Sequence, residues 1–357
     1  MKEIRLMKGN EAFAEALIRA GTDAYFGYPI TPQNEVLEYL TEVEPHKRTG
    51  MIVLQVESEI SAINMCYGGA GAGFKVATSS SSPGISLMME GISYMAGAEL
   101  PALILNVSRG GPGLGTIQPS QSDYFQAVKG GGHGDYKLFV IAPASVQEMA
   151  DFVPIAFDVA FKYRTPTMIL SDGIIGQMME KVVLFDQMPR KTLEQIEKDY
   201  PWATTGKKNY RQRNIITSLD LDPIRQEKHV LKLQEKYKKI EENELRYEEI
   251  ETDDAEFILV AYGSSARICL KVVKLARKEG LKVGLLRLIT LFPFPYKKLE
   301  ELSKKVAFFL VTELSTGQMV EDVILAVKNN APVYFYGRTG GAIYTPNEIL
   351  DFLKSKL

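Results

Sequence analysis

Two polar side chains stand where a sheet would present them to a ligand. Thr31 lies in Phe26-Gly-Tyr-Pro-Ile-Thr-Pro32, a turn held by Pro29 and Pro32, neither of which can donate a backbone hydrogen bond. About 25 residues later comes Gln55-Val-Glu-Ser-Glu59. It closes a short apolar run at 51–54 and leads directly into a small-residue helix at 60–73. A rigid hydroxyl and a carboxylate at the ends of adjacent strands are the means by which an α/β sheet offers a cofactor site. Each residue also has a structural use. Glu59 can cap its helix, where the N-terminal partial charge favours a carboxylate, although Glu57 or Ser58 would serve equally. Thr31 can close a hydroxyl turn around the Pro-Ile-Thr-Pro bend.

Further loops carry chemistry after later strands. Thr78-Ser-Ser-Ser-Ser-Pro-Gly84 brings hydroxyls, Ser81 and Ser82 among them, to a helix N-terminus that can bind an anion or a polar ring edge. It lacks the lysine and glycine spacing of a phosphate-binding P-loop. Arg109-Gly-Gly-Pro-Gly-Leu-Gly115 offers a cation among glycines, suited to a carboxylate through its two-pronged guanidinium. It follows a late strand and Pro119 displaces the next helix, so a dinucleotide fingerprint is disfavoured. Lys129-Gly-Gly-Gly-His-Gly-Asp135 is a flexible loop or a mobile wall over a site. Gly69-Ala-Gly-Ala-Gly73 reads as tight helix packing.

The elements that must position these groups alternate. Strands are predicted at 24–27, 51–55, 74–78, 102–107, 138–141 and 166–170, with helices at 8–24, 33–44, 58–72, 84–97, 120–128 and 145–162. That pattern predicts an α/β fold with a doubly wound, mostly parallel sheet over residues 1–185. Residues 186–253 form a charged linker with a helix, whose charge run spans 225–249. That helix is either solvated along the surface or a partner-binding element. Alternation resumes over 254–357, a second, smaller α/β domain.

Composition sets limits. A chain of 357 residues with 45% hydrophobic and 24% charged residues is an ordinary globular chain of two or three domains. A net charge of −2 gives no electrostatic case for nucleic acid or an anionic membrane. Neither an apolar signal core at Met1-Lys-Glu-Ile-Arg-Leu nor a run of about 18 apolar residues is present, so a cytoplasmic location is expected. Two cysteines, Cys66 and Cys269, exclude a four-cysteine iron–sulfur cluster, and the three histidines are scattered.

Taken together, Gly9-Asn-Glu-Ala12, Tyr28-Pro-Ile-Thr-Pro32, Glu57-Ser-Glu59, Thr78 through Gly84, Glu90-Gly-Ile-Ser-Tyr94 with Glu99-Leu-Pro101, Arg109 and Leu170-Ser-Asp172 resemble the α subunit of the 2-oxoacid:ferredoxin oxidoreductases. Pro-Gln-Asn-Glu-Val after Thr31 and the loops after Arg109 and Lys129 are most similar to the branched-chain (2-oxoisovalerate) type. The 2-oxoglutarate and pyruvate enzymes, or a non-catalytic scaffold subunit of such a complex, are the alternatives. The resemblance implies a thiamine pyrimidine-binding domain at 1–185 and a transketolase-C-like domain at 254–357. It implies that Glu59 meets N1′ of the cofactor's aminopyrimidine, that Tyr28, Pro29, Ser81 and Ser82 border the cofactor, and that Thr31 and Arg109 face the substrate. A carboxyl group at N1′ favours the imino tautomer that serves as the internal base, most effectively in a dry pocket.

The same resemblance implies oxidative decarboxylation of a 2-oxo acid to its coenzyme A ester, with electrons passed to ferredoxin. The second half of the thiamine site is missing here. Ser171-Asp-Gly173 lacks the preceding Gly and a following Asn, so no metal ligand is assigned in this chain. A β subunit is therefore expected to supply the diphosphate and Mg²⁺ half. Further γ- and δ-type ferredoxin-like subunits are expected to carry the iron–sulfur clusters, and the chain alone is expected to be inactive. A different thiamine enzyme subunit, such as a transketolase half or a dehydrogenase component using lipoamide, and a free-standing nucleotide-binding module are the more distant readings.

Overall fold

The computed structural model describes residues 3–357. Residues 1 and 2, the start of the segment read for a signal core, lie outside the described residues. The strands, in chain order, are β1 (Glu3–Lys8), β2 (Ala24–Gly27), β3 (Ile52–Gln55), β4 (Val76–Ser80), β5 (Ala102–Ser108), β6 (Phe139–Ile141), β7 (Pro166–Asp172), β8 (Met179–Leu184), β9 (Tyr247–Ile250), β10 (Phe257–Tyr262), β11 (Val283–Leu288), β12 (Thr290–Phe292), β13 (Phe308–Glu313) and β14 (Val333–Gly337).

Seven of them form one sheet in the order β3-β2-β4-β5-β7-β6-β12, parallel except for β12. β4, β5 and β7 are buried along their whole length. Helices therefore cover both faces, and the runs read as continuously apolar until their last, polar residues. From β2 the chain steps to β3 on one side and to β4 on the other. The strand order thus reverses between β2 and β4, the place where an open α/β sheet leaves a crevice at its carboxyl edge.

The remaining strands make two smaller sheets. One has five strands in the order β14-β13-β10-β11-β9, with only β9 antiparallel to its neighbour. The other is an antiparallel pair, β1 with β8. Neither β1, β8, β9 nor β12 is among the strands predicted from sequence. β9 lies within the charged run at 225–249 and just beyond it, and the helix expected there ends earlier, at Pro223–Asn243. That helix does not stand off in solvent. Leu233, Tyr237 and Ile240 are buried, and Lys236 donates to the Arg164 carbonyl and to Glu99. Its other face, with Leu231 at 58% exposure, meets solvent. The glycine run at 69–73 behaves as expected for close packing, since a Cβ on Gly69 would come within 2.7 Å of Val76 Cγ1.

Candidate functional site

The loops that carry Thr31, Glu59, Ser81 and Arg109 leave the carboxyl ends of parallel strands, on one side of the sheet, whereas the loop at 129–135 follows a helix and leads into the amino end of β6. After β2, the turn 28–32 is fixed from three directions. Gln33, fully buried, donates from Nε2 to the Tyr28 carbonyl at 3.1 Å, and its Oε1 accepts from Ser79 Oγ at 2.5 Å. Asn10 and Gln177 both donate to the Pro32 carbonyl, at 2.7 and 2.9 Å. The Thr31–Pro32 peptide is cis. Tyr28 is half-buried and Pro29 exposed. Thr31 Oγ1 accepts from Asn34 Nδ2 at 3.3 Å, which leaves its own O–H free to donate.

After β3, Glu59 is the first residue of the helix Glu59–Gly71. The capping duty that Glu59 could have had falls to Ser58, whose Oγ accepts from the Ser61 N–H at 3.3 Å. Glu59 is 5% exposed, yet among the described residues no hydrogen bond or ion pair to its carboxylate occurs. Beside it is Gly84, in the helix Ser82–Gly97. A Cβ there would lie 2.5 Å from Glu59 Oε1 and 2.1 Å from Ser80 Oγ. Ser80 and Ser81 are fully buried, and their hydroxyls too have no partner among the described residues. An unpaired buried carboxylate and two unpaired hydroxyls around a glycine form a polar notch that is incomplete without a ligand.

Arg109 follows β5 and is 9% exposed. Its guanidinium donates from Nη1 to the Thr31 carbonyl at 2.9 Å and from Nη2 to the Leu114 carbonyl at 3.1 Å. It therefore ties the Pro-Ile-Thr-Pro turn to the glycine-rich loop. Among the described residues Nε has no partner, and three of the five N–H groups remain for a ligand. Ser82, by contrast, is fully engaged within the chain. Its Oγ lies 2.6 Å from Asp123 Oδ2 and accepts from the Arg109 N–H at 2.9 Å. A cleft of about 610 Å³ opens here, lined by Ser82, Arg109, Gly111, Asp123 and, from the C-terminal half, Thr316 and Gln318.

Other predicted residues lie apart from this centre. Lys129 pairs with Asp322 at 2.5 Å and so is not an uncommitted cation. His133 stacks edge-on against Tyr94 towards the far end of the Ser82–Gly97 helix. Asp172 caps the helix Gly173–Gln177, accepts from Ser264 Oγ at 2.5 Å, and burial pushes its carboxyl up. Among the described residues no group of three His, Cys, Asp or Glu side chains is placed to hold a metal ion. Cys66 and Cys269 are both fully buried, and burial raises both thiols, Cys269 to about 12. Among the described residues no helix is long and apolar enough to cross a membrane. The sequence reading missed Asn106 and Asp123. Asn10, within Gly9-Asn-Glu-Ala12, and Gln33, within Pro-Gln-Asn-Glu-Val, entered it only as parts of the resemblance, with no role given to either.

Comparison with known proteins follows the same lines. Residues 15–251 match the thiamine diphosphate-binding domain of pyruvate flavodoxin/ferredoxin oxidoreductases, and 255–349 match core domain II of pyruvate:ferredoxin oxidoreductase. The ketoisovalerate oxidoreductase subunit VorB of Methanothermobacter thermautotrophicus is 47% identical over 98% of this chain and 97% of its own. The 2-oxoglutarate synthase subunit KorA of Methanocaldococcus jannaschii is 34% identical over 97% of this chain and 98% of its own. Among solved structures, 2-oxoglutarate:ferredoxin oxidoreductase from Magnetococcus marinus, with 2-oxoglutarate, coenzyme A and succinyl-CoA bound, superposes with a TM-score of 0.86 at 26% identity. The match covers 99% of this chain and spans 65% of that longer one.

Proposed function

The chain belongs to the 2-oxoacid:ferredoxin oxidoreductase family, and on that premise we propose that it contributes the pyrimidine half of a thiamine diphosphate site. The assembled enzyme converts a branched-chain 2-oxo acid, coenzyme A and oxidised ferredoxin to an acyl-coenzyme A, CO₂ and reduced ferredoxin. The observation that carries this reading is Glu59, a buried carboxylate with no partner among the described residues, set against Gly84 at the carboxyl edge of the sheet. The residues fit the aminopyrimidine end of that cofactor. In this reading Glu59 would share a proton with the ring nitrogen N1′, and Ser81, Ser82, Tyr28 and Pro29 would border the ring, Ser81 Oγ having no partner among the described residues.

When bound, thiamine diphosphate supplies the carbon acid that adds to the 2-oxo group and the electron sink for decarboxylation. The chain's own residues orient and stabilise. The free Thr31 O–H donates to the oxygen that gains negative charge. Arg109, with three N–H groups unused, holds the substrate carboxylate before CO₂ departs. A ring seated in the notch beside Gly84, Ser80 and Ser81 would exclude water from Glu59 and strengthen its interaction with the ring.

We assign the diphosphate and Mg²⁺ half to a partner β subunit and the clusters to ferredoxin-like γ- and δ-type chains. This rests on the family resemblance and, for the clusters, on a chain whose only two cysteines are too few to hold one. Residues 1–185 are taken as the pyrimidine-binding unit, 186–253 as the linker and 254–357 as the transketolase-C-like unit. An apolar substrate side chain is favoured by two observations. Lys129 is neutralised by Asp322, and the loop that Arg109 ties down carries Leu114 at 84% and Ile117 at 56% exposure. The 47% identity to a ketoisovalerate enzyme subunit, against 34% to a 2-oxoglutarate one, points the same way.

The test is Glu59→Gln in the assembled complex, followed by reduction of ferredoxin or a viologen dye with 3-methyl-2-oxobutanoate and 2-oxoglutarate in parallel. Loss of turnover with the complex intact is expected, with the wild type preferring the branched acid. Unchanged turnover would refute the assignment of Glu59.

A further inference from the structure

The half-buried Asp123 has no place in the reading above, yet its surroundings are unusually specific. It occupies the N-cap position of the short helix Tyr124–Val128 but makes no side-chain cap there. Its carboxylate turns inwards instead. Oδ2 accepts from Ser82 Oγ at 2.6 Å and from Asn106 Nδ2 at 2.9 Å. Asn106, fully buried in β5, accepts in return from the Ser82 N–H at 3.3 Å. Ser82 Oγ then receives the Arg109 N–H at 2.9 Å. The closed circuit joins three elements: the first turn of the helix that packs Gly84 on Glu59, the end of β5, and the segment leading to Tyr124. Charge-assisted bonds to Ser82 and Asn106 are the stronger kind and hold these three elements to one another.

What holds Asp123 itself comes from the C-terminal half. Gln121, 2% exposed, receives the Leu314 N–H on Oε1 at 3.0 Å, donates from Nε2 to the Tyr262 carbonyl at 2.9 Å, and sends its own N–H to the Leu314 carbonyl at 2.8 Å. On the other side of Asp123, Gln318 donates to the Ser122 carbonyl at 2.7 Å and accepts from the Phe125 N–H at 2.8 Å. The chain is therefore clamped to the C-terminal half on both sides of Asp123.

We propose that Asp123 is a positioning residue for Arg109, and that Gln121 and Gln318 make the docking of the C-terminal half the event that sets it. The proposal rests on the reading of Arg109 as the group that meets the substrate carboxylate. The role given to Asp123 is exerted through Ser82 Oγ, not by contact with substrate. It fixes the backbone from which the guanidinium reaches across to Thr31.

The experiment is a double-mutant cycle in the assembled complex: Asp123→Ala, Arg109→Ala and both together, with the melting temperature of each complex recorded. Asp123→Ala is expected to raise the KM for the 2-oxo acid about tenfold or more while kcat changes less. In the Arg109→Ala background the same change is expected to add less than about threefold, because no guanidinium remains to be placed. Asp123→Asn, whose Oδ1 can accept both bonds, is expected to return KM to within about threefold of wild type. A purely structural role would lower the melting temperature without the KM–kcat split and without the loss of effect in the second background. Effects that multiply in full, or a KM unmoved by Asp123→Ala, overturn the proposal. If the Asp123→Ala complex does not assemble, Asn106→Ala is run through the same cycle with the same criteria. A KM untouched by Arg109→Ala alone would strike instead at the role given to Arg109, and this inference would fall with it.

Discussion

Gly84→Ala tests the notch most directly, because the added carbon has a known address. Its Cβ would sit 2.1 Å from Ser80 Oγ, 2.5 Å from Glu59 Oε1 and 2.9 Å from Glu59 Cγ. Contacts of that length must be relieved by movement of roughly 1 Å, and forcing extra carbon into a packed site costs about 1–3 kcal/mol. Two features reduce the cost in the isolated chain. Both neighbours are side chains with no hydrogen bond to break among the described residues, and replacing glycine by alanine within a helix returns about 1 kcal/mol. The chain alone should therefore melt close to wild type. The cofactor should not be so tolerant. Displacing Glu59 by roughly 1 Å removes a charge-assisted hydrogen bond worth about 1.5–3 kcal/mol, which corresponds to roughly 10- to 150-fold in thiamine diphosphate affinity. The assay is half-saturation by thiamine diphosphate in dye reduction by the apo-complex, beside a melting curve of the isolated chain. A variant that folds normally and needs no more cofactor than wild type would refute the placement of the ring against Glu59 and Gly84.

Two other outcomes follow from buried polar groups. Gln33→Ala orphans the Tyr28 carbonyl and leaves Ser79 Oγ with Tyr25 OH alone, and should destabilise the isolated chain by about 1–3 kcal/mol in urea titration. A midpoint equal to wild type would show that Gln33 does not hold the turn. Burial depresses Lys236 to about 8, against the pull of Glu99, from an ordinary 10.5. Between those values the unfolded chain binds more protons than the folded one, so this residue's contribution to stability rises as pH increases from about 8 to 10.5 and is unfavourable below. Relative to Lys236→Met, the wild type should gain on the order of 2–3 kcal/mol across that window, read as the difference between two urea midpoint–pH curves; parallel curves would sink the assignment.

The parts legible in the sequence were those with local causes. The bend at Pro29–Pro32, the carboxylate opening a helix at Glu59 and the hydroxyls before Pro83 each combine a strand end with a breaker residue. β2 to β7 were readable because continuous apolar runs of strand length between helices leave few alternatives. What stayed hidden depends on distance along the chain. β1 carries Ile4 and Leu6 on its exposed side, the reverse of the usual signal, and pairs with β8 more than 170 residues away. β9, Tyr-Glu-Glu-Ile, continues a helical charge pattern, and becomes a strand because the edge of β11 is there to receive it. Ser-Gln-Ser-Asp at 120–123 reads as an ordinary polar loop entering a helix. Its importance comes from Ser82 and Asn106 on one side and Tyr262, Leu314 and Gln318 on the other, none of them a sequence neighbour.

β12 has a consequence for the chain as a heritable unit. Residues 290–292 come from the C-terminal half, yet they complete the other half's sheet against β6. Breaking the polypeptide at 251–256 would not yield two self-sufficient pieces, because one fragment would present unsatisfied backbone along β6 and the other would carry the segment that satisfies it. Such fragments should recombine by strand complementation, as a pilin subunit accepts a donated strand. A chimera that exchanges the C-terminal half must therefore bring a compatible 290–292, or lose the seal on its host's sheet.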